Sequence, residues 1–265
     1  MRRGDSQSAR HMIYFASDFH LGAPYIADRK AHEARIVRWL DSIEADCEAL
    51  YILGDIFDYW FEYRTVIPRG FVRFQAKIAQ MVDRGADVHF FTGNHDVWMF
   101  DYLPAELGVK VHSGPITVSH SGKTFFIGHG DDIGYDRWYH ILMWAFHNKF
   151  LQACYRWVHP DLAGWVATTW SHKSRMGHYA DERKKGRKPV EPDKEFQVLY
   201  ARRLVAQGSV ADYFVFGHRH EVIDAEAGPG GRRVLVIGDW IRNFTYAAFD
   251  GNDIKILTDD DARVR

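Results

Sequence analysis

"VHFFTGNHD" occupies residues 88–96: a strand-like run from Val88 to Phe91, one glycine, then an amide, an imidazole and a carboxylate in consecutive places. Taken singly this is ordinary loop chemistry, because Gly-Asn is a common turn. The chain repeats it. Runs at Ile13–Ala16, Leu50–Leu53, Thr124–Ile127 and Tyr213–Phe216 each lead into polar residues: Asp18 and His20, Asp55 and Asp58, His129 and Asp131, His218 and His220. A sixth run, Val234–Ile237, leads to Asp239. Open α/β sheets gather their ligands at the carboxyl ends of strands, so the pattern predicts an α/β fold with one site assembled from several loops.

Between the first two runs, Ile36, Trp39, Leu40 and Ile43 recur at helical spacing, and residues 72–84 repeat the pattern more weakly. The first ninety residues therefore read as β-α-β-α-β with parallel strands. From Val109 onward the signals are those of hairpins, with Ser121-Gly122 and Asp250-Gly251 between strand-like runs. Together these predict two sheets packed face to face with helices outside, an αββα sandwich over residues 12–265. Residues 135–190 form an insertion in that sandwich. Its first part carries Trp138, Trp144, Trp157, Trp165 and Trp170, with apolar positions at 138, 141, 142, 145 and 146 and then at 150, 153, 154, 157 and 158 at helical spacing, broken near His147–Lys149, and its second is a polar, basic connection. Residues 1–11 read as a disordered tail or expression remnant, with two arginines but no apolar segment of signal-peptide length behind them.

Composition narrows the function. At 265 residues the chain can bury a core without a stabilising disulfide or structural zinc. Thirty-four basic residues against 35 acidic ones give a net charge of −1, which argues against nucleic acid as a partner, since that needs a basic face. The two cysteines, Cys47 and Cys154, have no metal-binding spacing and read as small apolar residues in a reducing, cytoplasmic setting.

Residues i and i+2 of an extended chain point the same way, so Asp18 with His20, and His218 with His220, can each aim two donors at one point. Asp18, His20, Asp55, Asn94, His129, His218 and His220 offer seven oxygen and nitrogen donors, too many for one tetrahedral ion and suited to two. Imidazole, carboxylate and amide without thiolate suit Mn²⁺ first, with Fe or Zn²⁺ as alternatives, over Cu(I). Two such ions sharing a carboxylate are a device for phosphoester hydrolysis.

"SDFH", "GDIFD", "GNHD", "GHGD" and "GHRH", in this order between residues 17 and 220, resemble the five signature blocks of the calcineurin-like metallophosphoesterases. The resemblance implies that Asp18, His20 and His220 bind one metal, that Asp55 bridges, and that Asn94, His129 and His218 bind the other. "ASDFHLG", "GDIFDYW" and the aromatic insertion are most similar to the branch that hydrolyses UDP-2,3-diacylglucosamine in lipid A biosynthesis. That branch implies a UDP-linked glycolipid substrate, UMP and a diacylglucosamine 1-phosphate as products, and peripheral contact with the cytoplasmic face of the inner membrane. One position departs: proteobacterial members have arginine after the asparagine, where this chain has His95 as most other family phosphatases do.

His95 is then the expected catalytic acid or phosphate donor, with Asp96 orienting its ring. Asp58 and Asp131 are expected to hold the outer nitrogens of ligand imidazoles, and Asp239 to form a turn. Asp136, Lys173 and Arg175 are the candidate substrate contacts, the two cations facing a diphosphate. The tryptophans of the insertion fit either helix packing or an apolar groove for acyl chains. Two further functions share the fold: another phosphodiesterase or phosphatase, and a binding module that has lost catalysis, which the full set of seven donors disfavours.

Overall fold

The computed structural model describes residues 11–134, 141, 144–146, 148–167, 169 and 190–262. A six-stranded sheet has the order β11-β10-β1-β2-β3-β4, where β1 is Met12–Ala16, β2 Cys47–Ile52, β3 Asp87–Phe91, β4 Lys110–His112, β10 Thr245–Phe249 and β11 Ile254–Thr258. A five-stranded sheet has the order β5-β6-β7-β9-β8, with β5 Ile116–His120, β6 Lys123–Gly128, β7 Tyr213–Phe216, β8 Val222–Gly228 and β9 Arg232–Ile237. Strand periodicity explains the layering. On β1, Ile13 and Phe15 point between the sheets to meet Phe125, Val215 and Leu235, while Met12, Tyr14 and Ala16 face α1 (Arg29–Ile43) and α2 (Val72–Asp83). The other outer face is covered by α5 (Phe196–Ala206), whose Val198 and Ala201 pack on Phe214, Phe216 and Val234. The predicted αββα sandwich is present.

The predicted β-α-β-α-β start is also present, with β1, β2 and β3 parallel. The stripe of Ile36, Trp39, Leu40 and Ile43 is buried on the sheet, and Asp28 starts that helix by accepting from the Ala31 amide at 2.9 Å. Ser121-Gly122 closes the β5–β6 hairpin with both residues at positive φ, 48° and 77°, and Asp250-Gly251 joins β10 to β11. One expectation is corrected. Beyond Val109 the strands are not simply hairpins: β4 lies parallel to β3, and β6, β7 and β9 run parallel in the centre of the second sheet. α5 supplies the crossover into β7 and covers the outer face, as a parallel arrangement requires.

Within the insertion, α4 (Lys149–Tyr155) begins at Asn148, whose side chain accepts from the Phe150 and Leu151 amides, so the expected break falls there. Residues 160–167 form another helix. Tyr155 packs on Phe61 and Trp98, at ring separations of 4.7 and 5.1 Å, and Trp98 Nε1 donates to the Phe146 carbonyl. Of the five tryptophans noted in the sequence, Trp144, Trp157 and Trp165 are exposed, Trp157 to 91%, and so are not core residues. Trp138 and Trp170 lie outside the described residues, as do residues 1–10 and the basic connection 171–189. Among the described residues no helix is long and apolar enough to cross a membrane.

The loops that carry the insertion are fastened by Glu62. Its carboxylate is 1% exposed and accepts from the amides of Phe100, Asp101 and Tyr102 at 2.7, 2.8 and 3.1 Å, and from Trp60 Nε1 at 3.0 Å. It thereby joins the loop after β2 to the first turn of α3 (Tyr102–Leu107). Hydrogen bonds to a charged group contribute about 1.5–3 kcal/mol each, so Glu62→Gln, which turns an acceptor into a donor facing three amides, is expected to cost at least about 2 kcal/mol in urea unfolding. Trp157→Ser, at an exposed site, should stay within about 0.5 kcal/mol of the parent in the same measurement.

Candidate metal centre

The carboxyl ends of β1, β2 and β3 in one sheet and of β6, β7 and β9 in the other meet at one end of the sandwich. The chain turns sharply there. Among the described residues eight non-glycine positions have positive φ, and five of them are sequence-predicted donors: Asp18 (57°), His20 (46°), Asp55 (50°), His218 (67°) and His220 (53°). Each such residue costs of order 1–3 kcal/mol and persists only where surrounding contacts fix it. Those contacts cross between loops: the Asp18 and His20 amides donate to the Gly54 and Asp55 carbonyls at 3.1 and 2.9 Å, and the His218 amide donates to Asp18 Oδ2 at 2.8 Å. Glycine is required at 93 for a different reason, since a Cβ there would overlap the Asp55 carboxylate and His129 Nε2.

Two groups of donors result. Asp18, His20 and His220 bring one atom each within 4.8 Å of the others, and so do Asp55, His129 and His218. Asp55 lies between the groups, with Oδ2 at 3.6 Å from both His20 Nε2 and His129 Nε2. Asp18 Oδ1 is 3.4 Å from His220 Nε2 and 3.8 Å from His20 Nε2. A third overlapping group joins His20, Asp55 and His95.

The imidazoles are turned by their outer nitrogens. His20 Nδ1 lies 3.2 Å from Asp58 Oδ1, His220 Nδ1 is 2.9 Å from Asp239 Oδ2, and His129 Nδ1 meets the Leu53 carbonyl. A carboxylate or carbonyl only accepts, so each Nδ1 carries a proton and each Nε2 is the ring atom turned toward the site; at His129 the nearby carboxylates of Asp55 and Asp18 outweigh burial and favour positive charge on that side. Burial pushes the Asp18 and Asp55 carboxyls up, but the surrounding imidazoles outweigh it and hold both below the ordinary carboxylate range. Burial, reinforced by His129, takes His218 down to about 3, which keeps it neutral.

Three atoms of this region are buried without a hydrogen-bond partner: Asp18 Oδ1, Asn94 Oδ1 and His129 Nε2. Buried polar atoms are ordinarily satisfied. Two acceptor oxygens and an imidazole nitrogen meet no hydrogen-bond partner, and oxygen and imidazole groups gathered in this way fit divalent metal ions.

The structure brings six of the seven predicted donors, together with His95 and Asp58, to one place, and the seventh, Asn94, stands beside His95 in the chain with its Oδ1 buried. Asp58 serves both neighbours, through Oδ1 to His20 and through its carbonyl to His95 Nδ1 at 3.0 Å. Two expectations are corrected. Asp96 does not orient His95: its carboxylate accepts from the amides of Ile56, Phe57 and Gly93 at 2.7, 3.2 and 2.8 Å, binding the loop after β3 to the loop after β2. Asp131 does not hold the outer nitrogen of His129, because the Leu53 carbonyl already occupies it. Asp239 is more than a turn residue. Oδ1 accepts from the Arg242 and Asn243 amides at 2.9 Å each, while Oδ2 holds His220. Asp136, Lys173 and Arg175 lie outside the described residues.

The family of calcineurin-like phosphoesterases matches residues 11–222 of this chain. A UDP-2,3-diacylglucosamine hydrolase from Porphyromonas gingivalis is 41% identical over 262 residues, covering 95% of this chain and 99% of that protein. A protein of the same name from Actinobacillus succinogenes is 25% identical over 248 residues, covering 92% of this chain and 98% of that one. Among solved structures, the phosphoesterase Yfce from E. coli aligns with 95% of this chain and 94% of its own at 15% identity and a TM-score of 0.45. With four fifths of its length matched by one family, the chain belongs to the calcineurin-like phosphoesterases.

Proposed function

We propose that this protein hydrolyses the diphosphate of UDP-2,3-diacylglucosamine, consuming one water across the P–O–P linkage and releasing UMP and 2,3-diacylglucosamine 1-phosphate. The observation that carries the reading is the pair of donor groups meeting at Asp55, beside a helical insertion with exposed aromatic residues. A relative of that name aligned over nearly the whole chain supports the choice of substrate. Asp18, His20 and His220 would hold one divalent ion and Asn94, His129 and His218 the other, with Asp55 shared, and Mn²⁺ is the ion we favour. Bound there, the ions supply Lewis acidity to a phosphoryl group and increase the acidity of a water.

The remaining work falls to the chain's own groups. His95 is held by its amide to Asp55 Oδ1 at 3.0 Å and by Nδ1 to the Asp58 carbonyl. Its Nε2 is the atom left to exchange a proton with the substrate, on a phosphoryl oxygen or on the leaving oxygen. Asp58 fixes His20 and His95 together, so both rings keep their angle while the substrate changes charge. Exposed Phe150, Trp157, Leu162 and Trp165 offer apolar surface to acyl chains. The same surface would let the protein rest on the cytoplasmic face of the inner membrane while it draws substrate from it.

With Mn²⁺ present, UMP should be released from UDP-2,3-diacylglucosamine far faster than from UDP-glucose, and EDTA should abolish the reaction. Cleavage of an aryl phosphate with no release of UMP from the lipid would refute the substrate. Asp55→Asn is expected to lower metal content below two ions per chain by elemental analysis and to remove most turnover. His95→Ala should reduce kcat by about 10²–10⁴, the usual contribution of a positioned acid or base, with two ions retained. Loss of an ion from that variant would contradict the division of roles.

A further inference from the structure

Next to the metal centre lies a cavity of about 180 Å³ that the reaction described above leaves without an occupant. Gly93 and His129 form its wall on the side of the centre, Asp131 and Asp132 line it from the loop after β6, and Tyr200 of α5 and Phe126 of β6 supply aromatic surface. Among the described residues none of the lining belongs to the insertion or to Tyr59, Phe61, Trp98 and Phe100, on which the insertion packs. The apolar flank and this cavity are therefore separate places reached from one centre, and a diphosphate diester has two unlike ends.

Size and chemistry select between those ends. A cavity of about 150 Å³ accepts benzene, so this one takes the six-membered ring of a base, leaves an attached sugar at its mouth beside the exposed Asp132, and has no room for two acyl chains. Tyr200 and Phe126 stand with ring centres 6.3 Å apart and planes tilted by 55°, so a planar base can stack on one of them and meet the other at an angle. Asp131 is half-buried, Asp132 is exposed, and neither makes a side-chain hydrogen bond to another described residue, so both retain acceptor capacity. Carboxylates in that position suit the hydroxyls of a ribose and repel a further phosphate. We propose that this cavity is the nucleoside subsite, with the pyrimidine against Tyr200 and Phe126 and the ribose hydroxyls donating to Asp131 and Asp132. The identity of the base rests on the substrate proposed above.

Calorimetric titration of the Mn²⁺-loaded protein with UMP, ribose 5-phosphate and inorganic phosphate tests the subsite independently of lipid turnover. UMP should bind at least ten-fold more tightly than inorganic phosphate, with ribose 5-phosphate between them. Tyr200→Ala and Asp132→Asn should each remove most of that margin while leaving inorganic phosphate affinity and the two bound Mn²⁺ unchanged. Because Tyr200 also packs on the core, the exposed Asp132 gives a variant whose folding is not at issue. Equal binding of UMP and inorganic phosphate, or a margin that survives both substitutions, would overturn the subsite. A margin lost in the variants, in a protein that releases no UMP from UDP-2,3-diacylglucosamine, would keep the subsite and reject the lipid substrate. Release of UMP from the lipid with no such margin would do the reverse.

Discussion

Asp18 and Asp55 are 0% and 2% exposed, and a charge taken that far from water costs several kcal/mol unless donors or cations surround it. Much of the architecture can be understood as the answer to that cost. Asp18 receives the Ser17 hydroxyl at 2.6 Å and the His218 amide at 2.8 Å on the same oxygen, which leaves Oδ1 facing the imidazoles. Asp55 receives the His95 amide on one oxygen and faces His20 and His129 with the other. Because those partners come from both sheets, the carboxylates can be satisfied only when the sandwich is closed. The chemistry of the site and the docking of the sheets are thus one requirement.

Meeting it takes backbone that an ordinary strand end would not adopt. Five donors in the left-handed region, each against its own preference, are held by hydrogen bonds between adjacent loops and by Asp96, which ties three amides of two loops to one buried carboxylate. Burial and the neighbouring Asp55 raise the Asp96 carboxyl to about 7, against the pull of those amides. Asp239 repeats the arrangement on the other sheet, with one oxygen on the backbone of its own turn and the second on His220. The strain is local and its compensation is distributed over five loops, those after β1, β2, β3, β7 and β9.

The donors were legible because each stands directly behind a strand, and a strand announces itself by composition. Asp18, His20, Asp55, Asn94, His129, His218 and His220 all lie where the sequence pattern puts them. The roles of Asp96 and Asp131 were not legible, since a carboxylate two residues from a predicted donor looks the same whether it binds a ring or backbone amides. Only the position of the loop after β2, and of the Leu53 carbonyl, decides between them. Glu62 carries no signal at all: a lone glutamate in an aromatic loop reveals its four donors only after folding brings residues 100–102 beside it. The parallel centre of the second sheet was hidden for a related reason, because periodicity reports which face of a strand is buried and not the direction of its neighbour.

The exposed rings of Phe150 and Trp165 stand on two helices of the insertion and that of Trp157 on the turn between them, and among the described residues this segment meets the sandwich at Tyr59, Phe61, Trp98 and Phe100. Apolar surface of that kind governs how molecules meet one another, while the free energy of unfolding is set by the sheets and the buried carboxylates. Colloidal behaviour and thermodynamic stability are therefore controlled by different parts of this chain. Polar substitutions on the insertion would change solubility and adsorption without moving the unfolding midpoint, and a detergent that improves handling would do so by covering those rings.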